Sequence, residues 1–182
     1  MKCLILHWCP CDSSDLSYNK HRIPWLKKEL TLKNIEAEVP LMPSPWEPDY
    51  DKFKTEFEKY DIDEDTVLVW HSCSCAFLVR RLWETKTKIS KLILVAPWKI
   101  NDEWWEIRER FYNYKIDNSI KDRVKKIIMF TSDNEEKNGK ISLKLFHDTI
   151  GWEIIKLKSR WHYILSHMKT ESFPELLEVI LK

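Results

Sequence analysis

A chain of 182 residues with 30 Lys and Arg against 29 Asp and Glu is expected to be one domain, 1–182, able to bury about 70% of its unfolded surface without staples. Both signs of charge are interspersed, so no basic stripe marks a nucleic-acid partner, and no apolar run reaches the roughly 18 residues of a membrane span. Five cysteines, an odd number, read as reduced thiols of a cytoplasmic protein rather than a disulfide framework.

Short apolar runs are predicted as strands at 2–7, 35–39, 66–69, 92–96, 126–131 and 153–157. Most are continuously apolar, the pattern of strands covered on both faces. Between them fall helical patterns at 23–33, with Pro24 in the first turn, and at 49–60, 73–84, 116–124, 141–150 and 174–181. Pro174 starts the last helix and Gly151 follows Ile150 as a C-terminal cap. The alternation predicts βαβ units and a mostly parallel sheet of about six strands in a three-layer α/β domain. Segment 41–48, with three prolines, reads as an ordered extended loop, and 97–114, with Trp98, Trp104, Trp105, Phe111, Tyr112 and Tyr114, as either a small aromatic cap or aromatics packing a helix on the sheet.

The run Thr66-Val67-Leu68-Val69 gives way to Trp70-His71-Ser72-Cys73-Ser74-Cys75 and then to a helical run. A serine on a sharp strand-to-helix turn is the nucleophile elbow of α/β-hydrolases; the ordinary alternative is a buried serine capping a helix. Glycine usually flanks that serine, because strand and helix pass closely there, and Trp70 and Ser74 stand in its place. Ligands of open α/β sheets bind beyond the carboxyl ends of the strands. Those ends carry in order His7-Trp8-Cys9, His71-Ser72-Cys73, Ser132-Asp133-Asn134-Glu135 and Arg160-Trp161-His162. Serine, acid and histidine thus follow in the hydrolase chain order. An imidazole, with an unperturbed pKa of about 6.5, is the base that can activate a serine near neutrality, which makes His162 the candidate, with His167 its rival. Glu135 is the favoured acid and Asp133 the reserve, with Glu136 also in range. The oxyanion donors would be the backbone N–H of Cys73 and that of Trp8 or Cys9. His7 and His71 read as loop-orienting residues, and His21 and His147 as surface or packing residues.

With these residues placed, the chain resembles the small serine hydrolases of the retinoblastoma-binding protein 9 type, in a compact bacterial branch. The likeness runs through Ile23-Pro24-Trp25-Leu26, Pro40-Leu41-Met42-Pro43, His71-Ser72-Cys73, Leu92 onward to Trp98, Met129 onward to Glu136, and Phe173-Pro174-Glu175-Leu176-Leu177. It implies a minimal α/β-hydrolase fold with little or no lid, Ser72 as nucleophile, His162 as base, an acid in the 133–135 loop where the commoner form has aspartate at the Glu135 slot, and hydrolysis of a small carboxylic ester, thioester or amide through an acyl-serine. No cofactor is implied, and the oligomeric state is not read. The alternatives are an interaction protein on the same fold that has lost turnover, motivated by Trp70 and Ser74, and a metal or thiol site built from Cys9, Cys11, Cys73, Cys75, His7 and His71, whose paired cysteines are spaced too closely for a zinc knuckle.

Glycine is scarce, 2 residues, and tryptophan abundant, 10, against an ordinary glycine usage of about 7%. Similar sequences carry glycine at Trp8, Trp70, Trp83, Trp152 and Trp161, and also at Ser74, Ser166 and Lys169. One account covers the five tryptophans: a gene that uses UGA for glycine, translated here with UGA as tryptophan.

Overall fold

The structure, a computed structural model, describes residues 1–20, 22–101 and 106–182. His21, Trp104 and Trp105 lie outside the described residues. The six expected strands are all present: β1 (Lys2–Leu6), β2 (Glu36–Glu38), β3 (Thr66–His71), β4 (Ile89–Val95), β5 (Val124–Ser132) and β6 (Glu153–Leu157). They form one sheet in the order β2-β1-β3-β4-β5-β6, with every neighbouring pair parallel. The helices are α1 (Arg22–Leu32), α2 (Tyr50–Phe57), α3 (Ser74–Thr85), α4 (Glu106–Tyr112), α5 (Lys137–Ile150), α6 (Leu165–Met168) and α7 (Pro174–Leu181).

Alternation along the buried strands divides the core into two layers. Leu4, Leu6, Leu68, Trp70, Leu92, Leu94, Ile127 and Met129 face one side, where Phe53 and Phe57 of α2, Phe77 of α3 and Phe146 of α5 cover them. Cys3, Ile5, Val67, Val69, Ile93, Val95, Ile128 and Phe130 face the other, under Leu26 of α1 and Phe173, Leu176 and Ile180 at α7. The chain runs from β1 outward to β2 and then returns to β3, so β1 and β3 flank the switch point of the sheet. Loops leaving their carboxyl ends diverge there and open a crevice.

Three expectations are corrected. The helix predicted at 116–124 is a 3-10 turn, Asn118–Asp122, followed at once by β5. Asp117 accepts a hydrogen bond from Ser119 N at 2.8 Å, a local turn that competes with helix, and Val124 pairs with Ile89 instead. Helix α5 begins at Lys137 rather than at 141, because its first turn is polar and carries no apolar period. Cys9 and Cys73, expected as free thiols, form a disulfide across a Cα separation of 6.1 Å, within the ordinary bridging range. The pairing of β1 with β3 brings together residues 64 apart in sequence, which spacing alone does not reveal. Cys3, Cys11 and Cys75 are free.

Trp70 was expected to crowd the strand-helix crossing. Its ring does lie between β3 and α3, fully buried, stacked on Phe77 of α3 at 5.4 Å and edge-on to Phe57 of α2 at 5.2 Å. Its indole N–H has no hydrogen-bond partner among the described residues, which costs about 1–3 kcal/mol. Trp152 and Trp161 adopt φ of +81° and +41°, a region that favours glycine. Among the described residues no helix is long and apolar enough to cross a membrane.

Candidate active site

Ser72 follows the last residue of β3 and precedes α3, and its φ is +57°. A non-glycine residue in that region signals a strained turn. Its main chain is fixed on both sides: Ser72 N donates to Val95 O at 2.9 Å, while Ser72 O accepts from Cys75 N at 3.0 Å and Trp98 N at 3.2 Å. Ser74, where glycine is usual, is buried and donates through Oγ to His7 O at 2.6 Å. The elbow helix is thereby tied to the loop after β1, and the Cys9–Cys73 bridge ties the same two segments again.

His162, in the loop after β6, holds Nε2 2.7 Å from Ser72 Oγ and Nδ1 3.3 Å from each carboxylate oxygen of Glu135. With Nδ1–H donating to Glu135, Nε2 is free to accept from the serine hydroxyl. Glu135 follows β5, is 4% exposed, and accepts from Glu136 N at 2.9 Å. Gly139, in the first turn of α5, lies against it: a Cβ built there falls 2.8 Å from Glu135 Cγ and 2.9 Å from Cδ. Asp133, the reserve acid, is away from the ring. It is exposed, and its Oδ1 accepts from Ser159 N at 2.7 Å, a bond that holds its carboxyl below the usual range.

His71, His7 and His167 surround the site. His71 is buried and donates from Nε2 to His162 O at 2.8 Å. Burial, reinforced by the Arg22 guanidinium, keeps its pKa well below 6.5, so it holds the His162 loop as a neutral ring. His7 donates from Nδ1 to Trp8 O at 2.7 Å and accepts at Nε2 from Met42 N at 3.1 Å; burial lowers its pKa to about 4. His167 is not the ring at Ser72. It accepts at Nδ1 from His162 N at 3.3 Å and stacks on Trp161 with centroids 4.4 Å apart, and burial followed by the nearby His162 lowers its pKa. His147 sits at the surface, its Nε2 3.2 Å from Trp152 O.

A cleft of about 220 Å³ opens above Ser72, walled by Trp8, Trp98, Tyr112, Ile164, Arg108 and Cys73. The aromatic stretch divides its work. Trp98 and Tyr112 wall the cleft, while Phe111 is buried against Phe53 and Tyr114 bonds Ala76 O of α3 at 2.7 Å. Arg108 reaches from α4 to Pro10 O at 2.7 Å and Trp46 O at 3.3 Å. The sulfurs of Cys9 and Cys73 are bonded to each other, so the alternative metal reading loses two of its thiolates. Among the described residues no group of three His, Cys, Asp or Glu is placed to hold a metal ion.

A family description of serine hydrolases matches residues 15–180. The chain belongs to the serine hydrolase family. This serine hydrolase is 31% identical over 84 residues to YdeN of Bacillus subtilis strain 168, a protein whose name assigns it provisionally to the hydrolases. That alignment spans 44% of each chain, so it covers less than half of the curated relative's length. The crystal structure of the B. subtilis ydeN gene product superposes with a TM-score of 0.86 at 20% identity, over 99% of this chain and 96% of that one. Est1E of Butyrivibrio proteoclasticus, crystallised with ferulic acid bound, superposes with a TM-score of 0.65 at 13% identity, over 98% and 86%. At such identities the two structures attest the α/β-hydrolase fold.

Proposed function

We propose that this serine hydrolase cleaves a small carboxylic ester, thioester or amide through an acyl-Ser72 intermediate. His162 Nε2 takes the hydroxyl proton as Ser72 Oγ bonds to the carbonyl carbon, and Glu135 holds the opposite N–H, fixing the tautomer and stabilising the imidazolium. The oxyanion of the tetrahedral intermediate faces the backbone N–H of Cys73, at the N-terminus of α3 where the helix dipole favours negative charge, and that of Trp8 in the loop after β1. The imidazolium then gives its proton to the departing oxygen, sulfur or nitrogen. In the second half, water attacks the acyl carbon with His162 again as base, and the proton returns to Ser72 as the acid product leaves.

The observation that carries this reading is the 2.7 Å approach of Ser72 Oγ to an imidazole whose far nitrogen meets a buried carboxylate. Two features support it. The left-handed φ of Ser72 survives the substitution of both flanking glycines, and the disulfide clamps the two loops that supply the oxyanion amides. At about 220 Å³ the cleft is smaller than the roughly 300–1,000 Å³ of sites for drug-sized ligands, which favours a short acyl group with an aryl or alkyl leaving group against the aromatic walls. The test is covalent labelling by a fluorophosphonate probe together with hydrolysis of p-nitrophenyl acetate, both expected to vanish in Ser72→Ala. A folded protein that takes no label would instead favour the interaction-protein reading, and a Ser72→Ala variant that labels like the parent would overturn Ser72 as the nucleophile.

A further inference from the structure

Three consecutive N–H groups of the base loop bond to three consecutive side chains of the acid loop. Ser159 N donates to Asp133 Oδ1 at 2.7 Å, Arg160 N to Ser132 Oγ at 2.9 Å and Trp161 N to Asn134 Oδ1 at 2.8 Å. The Ser132 hydroxyl, while accepting from Arg160, donates to Asn134 Oδ1 at 2.6 Å, so two of the three acceptors are themselves linked. Three such bonds between two short loops call for a reason. The base loop supplies one: Ser159, Trp161 and Tyr163 all have left-handed φ, at +56°, +41° and +59°, and none is glycine. Such a backbone persists only where its surroundings over-determine it. Its carbonyl side is held too, by His71 on His162 O and by the buried Arg22 on Tyr163 O.

We infer that Ser132, Asp133 and Asn134 are positioning residues, a strip of acceptors that locks the His162 loop to the loop bearing Glu135 so that acid and base keep their contact as one rigid body. This rests on the catalytic reading given above. It assigns Asp133 a task different from proton chemistry: its carboxylate orders the Ser159 backbone amide, three residues before the base. The distinction is sharp under substitution, because Asn at position 133 keeps an oxygen acceptor and loses the charge, whereas Ala loses both.

Asp133→Ala and Asn134→Ala are expected to lower kcat on p-nitrophenyl acetate by about 10- to 100-fold, the scale of a misplacement near 1 Å, with KM changed by less than about two-fold. Asp133→Asn and Asn134→Asp are expected to restore most of the rate. The downfield proton resonance of the His162 Nδ1–H should broaden or disappear in the alanine variants and return in the conservative ones, and amide exchange at residues 159–161 should follow the same order. Equal losses in Asp133→Ala and Asp133→Asn, or parental kcat in both alanine variants, would overturn the inference. Should the parent protein show neither turnover nor labelling, the hydrolase reading fails, while the proton resonance and amide exchange still decide the strip. Parental exchange and an unchanged resonance in both alanine variants would remove it.

Discussion

Adding one methyl group at Gly139 tests the proposed acid, Glu135, directly. The new Cβ would stand 2.8 Å from Glu135 Cγ, 2.9 Å from Cδ and 3.0 Å from Oε1, where carbon pairs prefer about 3.5 Å or more. The shortfall is roughly 0.7 Å by that measure, and the carboxylate has little room to absorb it. The Glu135 side chain is 1% exposed, bonded to Glu136 N, and already 3.3 Å from His162 Nδ1 on both oxygens. Any shift that clears the methyl group moves the carboxylate off the ring. A displacement of this size should lower kcat by about 10- to 100-fold, equivalent to about 1.4–2.7 kcal/mol of barrier. Stability should change less: alanine favours the helix over glycine by about 0.5–1 kcal/mol, against about 1–3 kcal/mol for overpacking. The assay is kcat with p-nitrophenyl acetate beside a thermal melt, in Gly139→Ala, Glu135→Ala and the double variant. The methyl should cost nothing further once the Glu135 side chain is gone. Parental kcat in Gly139→Ala, or losses that simply add in the double variant, would refute the steric argument.

Acid should weaken the fold through His7. Its unfolded pKa is about 6.5 and its folded value about 4, so between those pH values the unfolded chain binds more protons. Stability is full above pH 6.5 and falls toward pH 4, by up to about 3 kcal/mol; denaturant melts at pH 7 and 4.5 that coincide would contradict this. Reduction of Cys9–Cys73, which spans a sequence separation of 64, should cost about 4 kcal/mol on the loop-entropy relation and slow fluorophosphonate labelling, whereas a Cys9→Ser variant should melt at the same temperature with and without reductant. The glycine-recoding account predicts UGA codons at positions 8, 70, 83, 152 and 161 and glycine there by mass spectrometry of the natural protein. UGG at those codons would end it.

The strands were legible because burial on both faces leaves continuous apolar runs, and with them came the sheet and the chain order of serine, acid and histidine. Glu135 over Asp133 was legible only as a preference of spacing; what separates them in the structure is side-chain direction, with one carboxylate turned inward over Gly139 toward His162 and the other bound to Ser159 N. The roles of Ser132 and Asn134 left no trace in periodicity, since they answer backbone groups 28 and 27 residues away. The early start of α5 was hidden by its polar first turn, and the short α6 lacked the length for a pattern. The disulfide was misread because cysteine parity describes the whole chain, while bridging depends on which two strands are neighbours.

Strand β6 lies at the rim of the sheet, paired only with β5 among the described residues, and three of its five residues are exposed. Ser72 and Glu135, the proposed nucleophile and acid, follow β3 and β5, inside the sheet, but His162, the proposed base, follows this rim strand. Peeling a poorly covered border strand requires far less free energy than melting the centre. Warming should therefore silence the enzyme reversibly while its ellipticity is still intact, so that catalytic output reports the integrity of one border segment and not that of the whole globule.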